Sequence, residues 1–323
     1  MHILQKQSGL DKIMEVNMKL GFITSILEND TFEEMIDFAS KEGFECVEVA
    51  CWPKGKGTRR YAGTSHIDID RVLTDDNYAR HIIDYSANKG VQISAIAYYP
   101  NILDPDLIKR RANICHLMNC IKASAKLKIN MVTTFIGRDQ SKDVEDNLKL
   151  VQEVWPPILE EAEENGVKVA IENCPMLFGR DQWPGGQNLM TSPQNWKRVF
   201  EILPYQNLGI NYDPSHFVWQ MIDYIKPIYE FRDKIFHVHF KDIKLYREKL
   251  DICGIMAYPL EFMQPKLPGL GDVDWGRYIS ALNDIGYNGY SCIEVEDRAY
   301  EGSEKAIHDS LRLSKKYLSQ FII

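Results

Sequence analysis

Short apolar runs alternate with longer amphipathic stretches along most of this chain. The strand-like runs are "LGFITS", "CVEVAC", "VQISAIAY", "NMVTTFIG", "VKVAIEN", "LGINYD", "IFHVHFK" and "YSCIEVE". Each is rich in Val, Ile or aromatic residues and bounded by Gly, Asn or charges, as buried strands are. Between them, "TFEEMIDFASKEG" spaces its apolar residues three to four apart, with Thr31 placed to cap the helix start and Gly43 its end. "DPDLIKRRANICHLMNCIKASAKLK", Asp143 to Asn165 and Asp274 to Ile285 carry the same period. Eight strand–helix units are what a closed (β/α)8 barrel requires. An open doubly wound sheet would place glycines in the turn after its first strand; here that turn reads "TSILENDT". The predicted fold is a single α/β domain, a (β/α)8 TIM barrel over residues 17–323, preceded by an N-terminal extension, residues 1–16.

Composition narrows the class. With 323 residues, 45% of them hydrophobic and 26% charged, the chain can bury a core that needs no disulfides. Seven scattered cysteines without a C-x-x-C pair point to a reducing compartment, with Cys46, Cys51 and Cys292 acting as small apolar residues. No run approaches the ~18 apolar residues of a membrane helix, and the first sixteen residues lack a signal-peptide core. A cytoplasmic protein with no membrane partner is expected. The net charge of −8 argues against a nucleic-acid partner. A barrel has no uncovered sheet edge, so a homo-oligomer would form through helices or loops.

The chemistry gathers where strands end. Glu172 closes "VKVAIE", Asp213 closes "LGINYD", His239 lies in "IFHVHFK", and Glu294 follows "YSCI". A charge ending an apolar strand is costly unless something pairs it. Alternation puts Glu172 on one face with Ala170, Asp213 with Asn211 and Gly209, His239 with His237 and Lys241, and Glu294 with Cys292 and Glu296. One assignment therefore turns all four inward and their bulky neighbours outward. Three carboxylates and an imidazole suit Mn²⁺ first, with Mg²⁺, Co²⁺ or Zn²⁺ admissible. The competing reading is a salt-bridged barrel rim without an ion.

Other residues could complete such a site. Pro214 turns the chain after Asp213, so that His216 can look back over the site as a substrate contact or second imidazole. His237 lies deeper and reads as a supporting residue. Lys241 could neutralise developing charge or hold a hydroxyl; equally, it could be a surface lysine paired to Asp242. Trp52, Tyr98, Tyr99, Phe135, Trp183 and Trp219 flank strand ends, where aromatic rings can cover the C–H faces of a sugar. Long loops follow three strands, at Trp52 to Thr74, Asn173 to Thr191 and Asp242 to Val273. The first holds "PKGKGTRR", a basic, glycine-containing stretch able to nest a phosphate, and His66, which could reach the site.

The segments "IENCP", "DPSH", "HVHFKD", "PGLGDVDW" and "IEVED" together resemble the xylose isomerase-like barrel superfamily, over nearly the whole chain from Lys19. The resemblance implies Glu172, Asp213, His239 and Glu294 as ligands of one divalent metal and His216 as a substrate contact. It departs from ketose 3-epimerases, which carry a further Glu where Phe178 stands and an Arg where Leu245 stands. The superfamily's three-zinc endonucleases need additional histidines and an Asp-x-His pair that this sequence lacks.

The expected activity follows. Moving a carbonyl, or inverting the carbon beside it, requires removing a proton from that carbon. A divalent cation chelating the carbonyl and a neighbouring hydroxyl stabilises the resulting enediolate as a Lewis acid. Glu172 and Glu294 would serve as acid and base, and the substrate would be a sugar, a sugar phosphate or a polyol-derived ketone. The alternatives are a lyase or dehydratase acting on a keto sugar or keto-glycoside, and a non-catalytic sugar-binding barrel.

Overall fold

The computed structural model describes residues 18–53, 62–177 and 184–322. Seven parallel strands follow in chain order: β1 (Lys19–Ile23), β2 (Cys46–Ala50), β3 (Gln92–Ala97), β4 (Met131–Thr134), β5 (Lys168–Glu172), β6 (Leu208–Tyr212) and β7 (Ile235–Phe240). The chain then makes an antiparallel pair, β8 (Asp242–Leu245) and β9 (Met263–Lys266), before returning as β10 (Tyr290–Ile293). Because β10 pairs in parallel with both β7 and β1, the sheet closes into an eight-stranded barrel ringed by helices. The strands expected from the sequence form this barrel. Extension 1–16 lies outside the described residues. No described helix is long and apolar enough to cross a membrane.

The helices obey local rules. Phe32–Lys41 begins with a capping box, Thr31 and Glu34 satisfying each other's backbone amides. The single helical pattern from Asp143 to Asn165 becomes two helices, Val144–Val154 and Pro156–Glu164. Pro156 has no N–H to continue the first helix but suits the first turn of the second. Trp155, fully buried at the joint, donates its indole N–H to the Ile136 carbonyl at 2.9 Å.

Strand alternation sorts two environments. Val169 and Ile171 of β5, Ile210 and Tyr212 of β6, and Val238 and Phe240 of β7 belong to the apolar layer between barrel and helices. The interior is polar and wired together. His237 contacts Asn211 Oδ1 through Nδ1 (3.0 Å) and Ser94 Oγ through Nε2 (3.1 Å). His237 is thus a satisfied interior histidine.

The hairpin corrects one expectation. The segment from Asp242 to Val273, read as a long loop, contains β8, β9 and a helix, Arg247–Cys253. Asp242 anchors it. Its Oδ1 accepts from the amides of Ile243 (2.8 Å) and Val273 (3.0 Å), and its Oδ2 from the Gly269 amide and the Trp275 indole, both at 2.9 Å. Ile243, Leu245 and Met263 pack with Trp219, Leu250 and Phe262 into a small satellite core beside the barrel mouth.

Candidate metal centre

Four ligand-type residues meet at the carboxyl end of the barrel. Glu172 is the last residue of β5, Asp213 follows β6, His239 is in β7, and Glu294 follows β10. One donor atom from each lies within 4.8 Å of all the others. Adjacent parallel strands in register bring them there: Glu172 is level with Asn211, and Cys292 with His239. Each residue beyond its strand then rises to the rim. Asn173 fixes two of these strand ends, accepting from the Asp213 amide (2.8 Å) and donating to the Asp213 carbonyl (2.9 Å).

The atoms that converge are short of partners. Glu172 Oε1, Asp213 Oδ2, His239 Nδ1 and His216 Nε2 are buried and make no hydrogen bond among the described residues. His239 Nδ1 stands 3.6 Å from Glu172 Oε1 and 3.5 Å from Glu294 Oε2. His216 Nε2 stands 3.3 Å from Asp213 Oδ2 and 3.5 Å from Glu172 Oε1. Buried polar atoms are rarely left like this unless an ion, water or ligand serves them. The donor set, three carboxylates and one imidazole at mutual distances spanned by a coordination sphere, fits a divalent cation.

Electrostatics point the same way. Lys241 is buried, with Nζ 2.7 Å from Glu294, 3.1 Å from Asp213 and 3.1 Å from Glu296. Glu48 is matched separately by His239, whose Nε2 is 2.6 Å away. Among the described residues, the Lys241 ammonium thus faces the carboxylates of Glu294 and Asp213 together, with Glu172 beside them. Burial and the Glu294 charge push the Glu172 carboxyl up, and burial does the same to Asp213. Burial also opposes ionisation of Glu294, but Lys241 and His239 outweigh it and hold this carboxyl low. Burial and Lys241 push His216 down to about 4, so its imidazole is neutral and able to accept. Burial disfavours the charged form of His239, yet Glu48 and the facing carboxylates hold it well above the ordinary imidazole range.

The structure distributes the remaining residues named from the sequence. Lys241 is not a surface lysine paired to Asp242; it sits inside the carboxylate cluster. A chamber of about 70 Å³ beside the cluster is walled by Trp52, Tyr99 and Phe135, with Glu172, Lys241 and Glu294 also facing it. A larger cavity of about 470 Å³ opens on the other side, between His216, Lys241, Trp219 and the hairpin residues Tyr258 and Lys266. Tyr98 does not face the site. It continues the outward parity of β3, packing edge-on against Trp52 and His116, with its hydroxyl toward Asn113. His66 also lies elsewhere, buried between Thr24 Oγ1 (3.0 Å) and the Leu27 carbonyl (2.9 Å). Trp183, Phe178 and the basic stretch at 54–60 lie outside the described residues.

Sequence reasoning missed Glu48. It is fully buried in the middle of β2, where its Oε2 faces His239 and its Oε1 accepts from Tyr99 (2.5 Å) and Thr133 (2.6 Å). Burial opposes its ionisation, but the charges of His239 and His237 and hydrogen bonds from His239 and Thr133 hold its carboxyl at about 2. The available signal was a lone carboxylate on the inward parity of "CVEVA".

The family is settled by a match over most of the chain. The sequence pattern of the xylose isomerase-like TIM barrel family covers residues 36–317. This chain belongs to that family. YfiH of Bacillus subtilis (strain 168), itself uncharacterized, is 24% identical across 94% of this chain and all of its own length. An inosose dehydratase of Clostridium perfringens (strain ATCC 13124) is 30% identical, but only over 26% of this chain and 29% of its own. Among solved structures, the D-psicose 3-epimerase of Clostridium cellulolyticum H10, in complex with D-tagatose, superposes with a TM-score of 0.67 at 15% identity. That superposition covers 94% of this chain and 99% of the epimerase. At that identity the likeness speaks for the fold alone.

Proposed function

We propose that this family member is a divalent-metal-dependent isomerase or epimerase acting on a sugar, sugar phosphate or polyol-derived ketone by proton abstraction beside a carbonyl. The observation that carries the reading is the convergence of Glu172, Asp213, His239 and Glu294 on one buried point, with Glu172 Oε1 and His239 Nδ1 left without a hydrogen bond among the described residues. A divalent ion held there, Mn²⁺ by the hard oxygen character of the set, would act as a Lewis acid toward a carbonyl and its neighbouring hydroxyl.

The chain's own groups supply the remainder. Glu172 and Glu294 come from the fifth and eighth barrel strands and face each other across the cluster. One of them would take the proton and the other return one from the opposite side, which inverts a carbon; one carboxylate serving both carbons would move the carbonyl instead. Neutral His216 accepts from a substrate hydroxyl, and Lys241 lies where oxygen charge would develop. Trp52, Tyr99 and Phe135 form an apolar wall that excludes water from the carbon being deprotonated.

Elimination from a keto sugar begins with the same proton abstraction, and the stretch shared with an inosose dehydratase keeps that second reading alive. The test is to incubate the Mn²⁺-loaded protein in D₂O with a panel of free and phosphorylated keto sugars. The proposal expects deuterium at the carbon beside the carbonyl, with an isomer of unchanged formula as product. Loss of water from the product would assign the lyase. No exchange across the panel would mark a non-catalytic binding barrel.

A further inference from the structure

We infer that Glu48 is a positioning residue that fixes which nitrogen of His239 is free for the cation; the inference rests on reading the cluster as a metal centre. His239 has two ring nitrogens, and only one can point at Glu172 and Glu294. That nitrogen is Nδ1. The other, Nε2, faces Glu48 Oε2 at 2.6 Å, and an ionised carboxylate can only accept there. Once the ring is neutral, as a cation requires, its remaining proton therefore resides on Nε2, which leaves the Nδ1 lone pair toward the carboxylates. Asn211 Nδ2 lies 3.0 Å from the same Nε2 and, being a donor, could bond it only if Nε2 lacked a proton; the Tyr99 hydroxyl at 2.9 Å gives that amide another acceptor, whereas Glu48 Oε2 at 2.6 Å can only accept from the ring.

Glu48 is itself held rigidly. Tyr99 and Thr133 both donate to its Oε1, so Oε2 is the oxygen left for His239. This arrangement makes a particular failure of the isosteric amide. In Glu48→Gln the amide oxygen would stay with the two hydroxyl donors, turning its NH₂ group toward His239 Nε2. A donor at that position demands an acceptor, which moves the ring proton to Nδ1. The atom aimed at the cation would then carry a hydrogen. Carboxylates placed behind metal-bound histidines set tautomer and orientation in this way, and removing them weakens metal binding about 10- to 100-fold.

The experiment measures Zn²⁺ and Mn²⁺ dissociation constants by chelator competition on the full chain, wild type against Glu48→Gln. Unfolding of the metal-free proteins serves as the control for folding. The expected result is about 10- to 100-fold weaker binding in Glu48→Gln, with ¹⁵N resonances of the His239 ring, read at a pH where the ring is neutral, shifting from an Nε2–H to an Nδ1–H pattern. Equal affinity in variant and wild type overturns the inference. Should Glu48→Gln fail to fold, Thr133→Val loosens the same carboxylate more gently; weaker metal binding supports the inference and unchanged binding overturns it. A wild type that binds neither metal overturns the metal centre itself, a result distinct from either.

Discussion

The Lys241 ammonium lies 2.7 Å from Glu294 Oε2, within the same cluster whose Glu172 Oε1 has no hydrogen-bond partner among the described residues. Lys241 thus does two opposed things. It offers positive charge where a substrate oxygen would become negative, and it repels any cation that the carboxylates attract.

Replacing it separates the two effects. Lys241→Met should bind Mn²⁺ more tightly than wild type, because three neighbouring carboxylates lose their shared counter-charge. Turnover should fall about 10²- to 10³-fold, the usual loss on removing one stabiliser of developing oxygen charge. Titration with Mn²⁺ and steady-state kinetics on the same preparation check both. Weaker metal binding with undiminished turnover would contradict this role.

Metal uptake should release protons. In the metal-free protein the Glu172 and Asp213 carboxyls and the His239 ring are all held above their ordinary values, so each keeps its proton to higher pH. Ligands must shed those protons to bind. Affinity should therefore rise with pH and fall as pH drops through the raised values. Calorimetry in two buffers of different ionisation enthalpy reads the released protons directly, and buffer-independent heats would count against the assignment.

Much of this architecture was legible because two periods coincide in the sequence. Strand alternation that turns Glu172, Asp213, His239 and Glu294 inward also sends Val169, Ile171, Tyr212 and Phe240 outward, where the structure has them. The same parity would have separated Tyr98 from Tyr99, since Ile96 and Tyr98 share the outer face of β3. Glu48 escaped notice because charges were sought where strands end, whereas it sits mid-strand and is paired across the barrel by His239. The β8–β9 hairpin was not readable at all. "DIKL" and "MQPK" are short, mixed in polarity and interrupted by Pro265, and what holds them is Asp242 collecting donors from distant residues.

That carboxylate supports a stability prediction. Each oxygen of Asp242 accepts two hydrogen bonds, and an asparagine can satisfy only one such pair. Asp242→Asn should cost about 1–3 kcal/mol for each buried donor left stranded, although it removes a buried charge. Urea unfolding of the metal-free protein measures this. Unchanged or increased stability would show that the charge costs more than its donors return.

His66 gives the converse. Buried between Thr24 and the Leu27 carbonyl, with both ring nitrogens served there, it should matter to stability and not to chemistry. His66→Ala should lose about 1–3 kcal/mol while the folded fraction keeps its metal affinity and turnover. A selective loss of turnover at unchanged stability would place His66 in the reaction.

The most direct measurement of the central claim is the metal content of the purified protein, by mass spectrometry of the elements after loading with Mn²⁺ and removal of excess. Wild type should retain one divalent ion per chain, and Asp213→Ala and His239→Ala should each retain almost none while remaining folded. Equal metal content in wild type and both variants, or none in any of them, would contradict it.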